Sequence, residues 1–224
     1  MENLLPNTTY YIRAYATNSA GTSYGCEIDY TTNKEGYIYD TITGRSYPTV
    51  KIGSQTWMAT NYKSAYYKNG DLLPGVDDET AWNNLTSGAI TSINNNFLYN
   101  YYAVTDSRGL CPDGWHIPSK QDWDILINFL GGESVAGGKL KYNNNYYYYN
   151  SYWDEPNIGA TNESGFSAEP LLDENNLYTT GIWWSTTETG SDSAISIVLK
   201  NNTASVMQQT IDKNTGAPVR CIKD

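Results

Sequence analysis

One histidine, three cysteines and three phenylalanines are spread over 224 residues, and each scarcity excludes something. With His116 as the sole imidazole there is no second histidine for a metal site or relay, and neutral-pH acid–base chemistry has one candidate. No two of Cys26, Cys111 and Cys221 stand close in sequence, which removes the C-x-x-C redox and zinc patterns. Positive charge is also short. Fourteen Lys and Arg face 24 Asp and Glu, a net charge of −10, so the average surface repels phosphate backbones and nucleic acid is excluded as a partner. No apolar run reaches about 18 residues, so no membrane-spanning helix is expected. Met1-Glu2-Asn3-Leu4-Leu5-Pro6 lacks the basic stretch and apolar core of a signal peptide, and an export address is expected upstream.

What the chain has in abundance is tyrosine, 21 residues within an aromatic share of 14%, while charged residues make up only 17%. Tyrosine packs its ring and keeps its hydroxyl wet, a palette of β-rich extracellular proteins. The length and a hydrophobic share of 39% allow one sizeable core, or a core with a small appendage.

The opening segment has its own pattern. Leu4-x-Pro6-x-Thr8-x-Tyr10 leads into alternation through Ile12, Ala14 and Ala16, an Asn18-Ser19-Ala20-Gly21 turn, and a second strand ending at Tyr30-Thr31-Thr32. This reads as a hairpin over residues 1–33, followed by a polar linker at 34–36. From Tyr37 the pattern changes to a meander of short strands with turns at Thr43-Gly44 and Gly53-Ser54. Residues 60–100 read as loop, with a short helix around Glu79–Leu85. Ser119 and Asp122 form a capping box, and Trp123, Leu126, Ile127 and Leu130 make one apolar stripe that Gly131-Gly132 ends. A second helix is expected over Ser134–Lys141. Tyr142–Tyr152 is nearly all Asn and Tyr and reads as an exposed loop or edge hairpin. The tail is β, in strands near Ile182–Ser185, Ala194–Lys200, Thr203–Gln208 and Val219–Ile222. Cys111 before the helix and Cys221 in the last strand leave two readings, a bridge closing a long loop or two buried thiols; Cys26 is left over.

Six blocks then occur in order: Val50–Asn61, Tyr99–Ala103, Cys111–Ser119, Thr161–Ala168, Trp183–Glu188 and Val219–Asp224. Together they resemble the Fibrobacter succinogenes major paralogous domain family over about residues 37–224. The resemblance implies a module of secreted and surface proteins of Bacteroidetes-like bacteria, with no established catalysis, often placed behind fibronectin-like modules. The opening hairpin likewise resembles the last two strands of a fibronectin type III domain, with Tyr10 at the tyrosine-corner place. The Pro118-Ser119 helix start and the Val219-Arg220 strand also look like distant features of C-type lectins and the formylglycine-generating enzyme. That relationship implies an α+β, C-type-lectin-like domain with two helices and short antiparallel strands, its terminal strands paired, plus the fibronectin hairpin.

Against that background the candidate groups are few. His116 reads as structural, its ring bonding nearby backbone. Formylglycine-type chemistry needs two neighbouring thiols for copper, whereas Cys111 and Cys221 read as a structural disulfide. Asp154-Glu155-Pro156-Asn157 contains the Glu-Pro-Asn tripeptide with which sugar-binding C-type lectins hold calcium, so Glu155 and Asn157 are candidate ligands; the Trp184-Ser185-Thr186 stretch lacks the second half of that motif. Calcium is the one cofactor left open. Trp183 and Trp184 are neighbours on a strand, so one faces the core; the other, with Trp153 and Tyr146, Tyr147 and Tyr148, would form a stacking platform beside Thr187 and Glu188. Thr161–Phe166 reads as a capped turn.

The expected function is therefore a non-catalytic, extracellular or cell-surface adhesin-like module that contacts a glycan or protein ligand through residues 142–157 and 183–192. Three alternatives stand beside it: an architectural spacer of a surface lipoprotein or pilus-like assembly, a retroelement-diversified receptor-binding protein with an Asn- and Tyr-rich variable face, and a degenerate formylglycine-generating-type enzyme.

Overall fold

The computed structural model describes residues 9–31, 35–93, 96–143, 153–172, 175 and 177–224. The chain divides into two compact units, Met1–Gly36 and Tyr37–Asp224. In the first, β1 (Thr9–Ile12), β2 (Tyr15–Asn18), β3 (Gly21–Tyr24) and β4 (Ile28–Thr31) form one interrupted antiparallel ribbon, β1 with β4 and β2 with β3. The turn expected at Asn18–Gly21 closes it: Asn18 stands opposite Gly21, whose φ of 134° suits glycine alone. None of the described side chains in this ribbon is buried; Tyr11, Tyr15, Tyr24 and Ile28 are 61–72% exposed.

A meander follows, β5 (Glu35–Asp40), β6 (Arg45–Ile52) and β7 (Gln55–Met58), with Gly44 and Gly53 at positive φ in its two turns. Next come α1 (Glu79–Asn83), β8 (Ile90–Ile93), β9 (Asn96–Tyr99), α2 (Tyr101–Val104) and β10 (Trp115–His116). The capping box is present as read: Ser119 accepts from the Asp122 amide, the Asp122 carboxylate accepts from the Ser119 amide, and α3 (Lys120–Phe129) starts there. After α4 (Glu133–Leu140), the chain ends in β11 (Thr180–Glu188), β12 (Ser193–Lys200), β13 (Val206–Asp212) and β14 (Ile222–Lys223). The fold is mixed α+β with antiparallel strand pairing.

The last strand does return to the first ones. Ile222 of β14 pairs with Trp57 of β7 on one side and His116 of β10 on the other, in a sheet ordered β10-β14-β7-β6-β5. A second sheet runs β11-β12-β13, and β8 pairs with β9. The segment just before β14 stitches these parts together: the amides of Met58, Tyr62 and Trp184 donate to the carbonyls of Cys221, Val219 and Pro218 at 3.0, 3.0 and 3.2 Å, and Ala217 exchanges two bonds with Tyr99. Two apolar clusters result. One joins Tyr62, Tyr99, Tyr101, Leu110, Trp184 and Val219; the other joins Trp57, Trp123, Leu126, Leu140, Phe166 and Trp183.

Three expectations needed revision. The domain has four helices rather than the two that the resemblance implies: α1 lies at the short helix expected around Glu79–Leu85, and α2, which was not expected, takes Asn100 as an N-cap that satisfies an amide of its first turn. Residues 90–99, read as loop, contain the β8–β9 pair, in which Ile90 and Leu98 point inward. The terminal strand is only two residues long, since the carbonyls of Pro218, Val219 and Cys221 accept from three different partners instead of one ladder.

Cys111 and Cys221 are joined in a disulfide across 110 residues, so the bridge reading holds over the two-thiol one. By loop entropy such a closure stabilises by about 4–5 kcal/mol. Replacing both cysteines by Ala is expected to lower the unfolding free energy by that order in urea denaturation; a loss under about 1 kcal/mol would mean that the backbone stitching alone sets the closure.

Candidate functional site

The tryptophans of the expected aromatic platform are not on the surface. Trp153, Trp183 and Trp184 are 1%, 1% and 0% exposed. Alternation does send Trp183 and Trp184 to opposite faces of β11, but both faces are covered, the first by the Trp57–Phe166 cluster and the second by the Tyr99–Tyr101 cluster. Each indole N–H is consumed inside: Trp183 donates to Asn61 Oδ1 at 2.8 Å, Trp184 to the Tyr99 carbonyl at 2.8 Å and Trp153 to the Ala168 carbonyl at 2.9 Å. Thr187 and Glu188 also have structural partners. The Thr187 hydroxyl accepts from the Lys120 amide at the start of α3, and the exposed Glu188 carboxylate pairs with Lys213 at 3.0 Å. Tyr146, Tyr147 and Tyr148 lie outside the described residues.

The familiar sequence blocks meet in the interior instead. Arg220, fully buried, donates to the Phe166 carbonyl and to Asn61 Oδ1, the atom that also receives Trp183, and lies 4.1 Å over the Phe166 ring. Burial works against the guanidinium charge and lowers its pKa. Nη1 and Nη2 find a carbonyl and an amide oxygen and the guanidinium face rests on an aromatic ring, while Nε has no partner among the described residues.

His116 differs from its expected backbone bonding. Its Nδ1 lies 2.6 Å from Asp224 Oδ1 and its Nε2 3.6 Å from Asp122 Oδ2, on a half-exposed ring. Ser119 Oγ donates to the same Asp122 carboxylate at 2.6 Å. A nucleophilic triad needs the hydroxyl on the imidazole and the carboxylate behind it. Here the carboxylate stands between them, so the serine proton has no direct path to the ring.

A concave site exists elsewhere, one that sequence reasoning did not single out. A groove of about 420 Å³ is walled by Leu72 and Pro74, by Thr86 to Gly88, by Tyr102 and Thr105, and by Asp106 and Arg108. Asn100 builds it. Buried at the N-cap of α2, its Oδ1 accepts from Ala103 and Ala89 at 3.1 and 3.0 Å, and its Nδ2 donates to the Ser87 carbonyl at 2.8 Å. One side chain thus fixes two walls. Gly88 forms the floor where a Cβ would meet the Tyr67 hydroxyl at 2.1 Å and Ala103 Cα at 2.9 Å, so no larger residue fits. Arg108 lies flat on the buried Tyr67 ring at 3.8 Å and grips Asp106 through Nε and Nη2 at 2.9 and 2.8 Å, with Nη1 3.2 Å from Asp71. The Arg108 fork holds the Asp106 carboxyl down at about 2; Asn69 first, then Arg108, hold Asp71 below its usual value. Two residues on, buried Leu110 and the disulfide at Cys111 anchor the loop. The one sequence signal for this site was Asn100 ahead of Tyr101–Val104, a cap residue before a helical stretch.

The Fibrobacter succinogenes major domain family matches residues 50–223, from β6 into β14. The chain belongs to that family. No curated protein and no solved structure matches it. In this member of the Fibrobacter succinogenes major domain family, the matched span therefore contains both the stitched core and the groove.

The Glu-Pro-Asn stretch supplies little for calcium. Glu155 is exposed, Asn157 donates through Nδ2 to the Tyr142 carbonyl, and Asn157 Oδ1 is enclosed without a partner among the described residues. Asp154 is committed to the Tyr178 amide, and no group of three His, Cys, Asp or Glu that could hold a metal ion occurs among the described residues. Calcium takes six to eight oxygens, so this set does not fit it. A side chain already brings positive charge beneath the loop. Lys141, fully buried at the end of α4, directs its ammonium to the carbonyls of Ile158, Lys200 and Thr203 at 2.9, 3.0 and 2.9 Å. These three bonds tie the 153–161 loop to the β12–β13 turn.

Lys141→Met strands three carbonyls and is expected to cost roughly 2–4 kcal/mol in chemical denaturation. Burial lowers the Lys141 pKa from 10.5 to about 8. The unfolded chain therefore binds the extra proton between those values, and the penalty for burying charge, complete below about pH 8, is relieved as pH rises to 10.5. Wild-type stability measured relative to Lys141→Met is expected to rise across that window; a fall would place the ammonium pKa above its ordinary value.

Proposed function

We propose that this chain is a non-catalytic, exported binding module that contacts a glycan or protein ligand on another cell or host surface. In this reading residues 37–224 are a C-type-lectin-like domain, and residues 1–33 are closing strands of a fibronectin type III unit, joined through 34–36. The observation that carries the proposal is the groove at Arg108. It is preformed, opens to solvent and rests on a buried capping asparagine and a disulfide, as small-ligand sites do. The disulfide favours an oxidising compartment. Both thiols that copper chemistry would need are consumed in it, and Cys26 lies in the other unit, which favours a non-catalytic role.

Two measurements test the reading. On a glycan array and on immobilised surface proteins the chain is expected to bind saturably, and to keep binding in EDTA, because Lys141 rather than calcium supplies the cation under the 153–161 loop; silence on every surface would leave the architectural reading in its place. Trp184→Ala is expected to lose about 3–5 kcal/mol of stability while binding per folded molecule is retained. Loss of binding without loss of stability would return Trp184 to the contact face.

A further inference from the structure

The groove carries more than a binding reading; its wall chemistry selects a class of ligand. We infer that it is a subsite for a neutral polyhydroxyl ligand, one or two uncharged sugar rings, held by Arg108, Asp106 and Tyr102 without a metal ion. This rests on the reading of the chain as a binding module and specifies it.

Charge decides against an anion. Two carboxylates, Asp71 and Asp106, surround one guanidinium at hydrogen-bond distance, so the cluster is net negative before the chain's −10 is considered. A uronic or sialic acid arriving there finds its counter-ion already paired. Hydrogen-bond capacity decides for a polyol. Three of the five Arg108 side-chain N–H groups are taken, Nε and Nη2 by Asp106 and Nη1 by Asp71, which leaves two donors. Arg108 fills both acceptor sites of Asp106 Oδ1, through its backbone amide and Nε, and one on Oδ2, through Nη2, which leaves one acceptor site on Oδ2; the carboxyl stays ionised across neutral pH, so it accepts and never donates. A planar fork of donors beside a fixed acceptor matches adjacent hydroxyls, each of which both donates and accepts. Thr86, Ser87 and Thr105 add hydroxyls around the rim.

The opposite wall supplies the apolar half. Leu72 is 63% exposed, and with Pro74 and the half-buried Tyr102 it offers a surface for the C–H face of a sugar ring. A volume of about 420 Å³ lies at the small end of ligand sites, roughly 300–1,000 Å³. Arg108 is also immobilised before any ligand arrives, by its stack on Tyr67 and its two carboxylates, so little side-chain entropy is lost on binding.

The test is a titration of the ¹⁵N-labelled chain with neutral sugars (glucose, galactose, mannose, N-acetylglucosamine and their oligomers) and with glucuronic and N-acetylneuraminic acids, followed by NMR. At least one neutral sugar is expected to shift the Arg108 Nε–H and the amides of Ser87, Gly88 and Thr105 saturably, in EDTA, with an unchanged affinity from about pH 5 to 8. Asp106→Asn, Tyr102→Ala and Arg108→Lys are each expected to weaken it at least tenfold in chains whose amide spectra remain those of the folded protein; Arg108→Lys keeps the charge and loses the fork. Lys51→Ala, exposed on β6, leaves affinity unchanged. Neutral-sugar binding that ignores the groove variants overturns the subsite and leaves the binding-module reading intact. Tighter binding of the acidic sugars overturns the ligand class. No binding by any sugar, with a silent glycan array, overturns this inference and the glycan form of the proposed function together.

Discussion

Six residues near the C-terminus, 217–222, hold the second unit together. They contribute no long strand of their own. Their carbonyls instead receive amides from β7, from Tyr62 and from β11, while Ala217 pairs with Tyr99 at the end of β9. Backbone groups buried this deeply must be bonded, and a segment that spreads its bonds over four parts of the chain couples both sheets. The disulfide adds a covalent link at the same place, from Cys221 to the loop that carries Arg108. Core, closure and groove wall therefore share one anchor.

This also explains what the six recognisable sequence blocks encode. Asn61, Phe166, Trp183 and Arg220 come from four different blocks and converge on one buried node in which a single amide oxygen receives both an indole and a guanidinium. Tyr99 and Trp184 form a second junction with the 217–222 segment: Trp184 gives its indole N–H to the Tyr99 carbonyl and its amide to Pro218, while Tyr99 pairs with Ala217. In this chain the six blocks thus largely build an interior that accommodates a buried arginine and adjacent tryptophans. The groove residues Leu72, Thr86 and Arg108 fall between the blocks, where loops tolerate change.

Local rules made part of this legible. The Ser119–Asp122 capping box, the Gly44 and Gly53 turns and the apolar stripe of α3 depend on residues a few positions apart, and the structure contains them. Burial was harder, because it is a tertiary property. Alternation places Trp183 and Trp184 on opposite faces, yet nothing in the strand itself says that both faces of β11 are covered. Nothing local marks Lys141 at the end of α4 as buried; it is enclosed by three carbonyls from residues 158, 200 and 203, distant in sequence. The groove is assembled from segments around 72–74, 86–88 and 102–108, brought together by Asn100, so no contiguous motif announces it.

The second unit is a scaffold whose tryptophans and buried arginine share a hydrogen-bonded interior and whose groove at Arg108 opens to solvent. Its foundation is the 217–222 segment, and amide hydrogen exchange measures that most directly. The amides of Met58, Tyr62 and Trp184, which donate to carbonyls of residues 218–221, are expected to exchange only through global unfolding, among the slowest in the chain. Exchange of these three at the rates of exposed loops, with β12 still protected, would contradict the account.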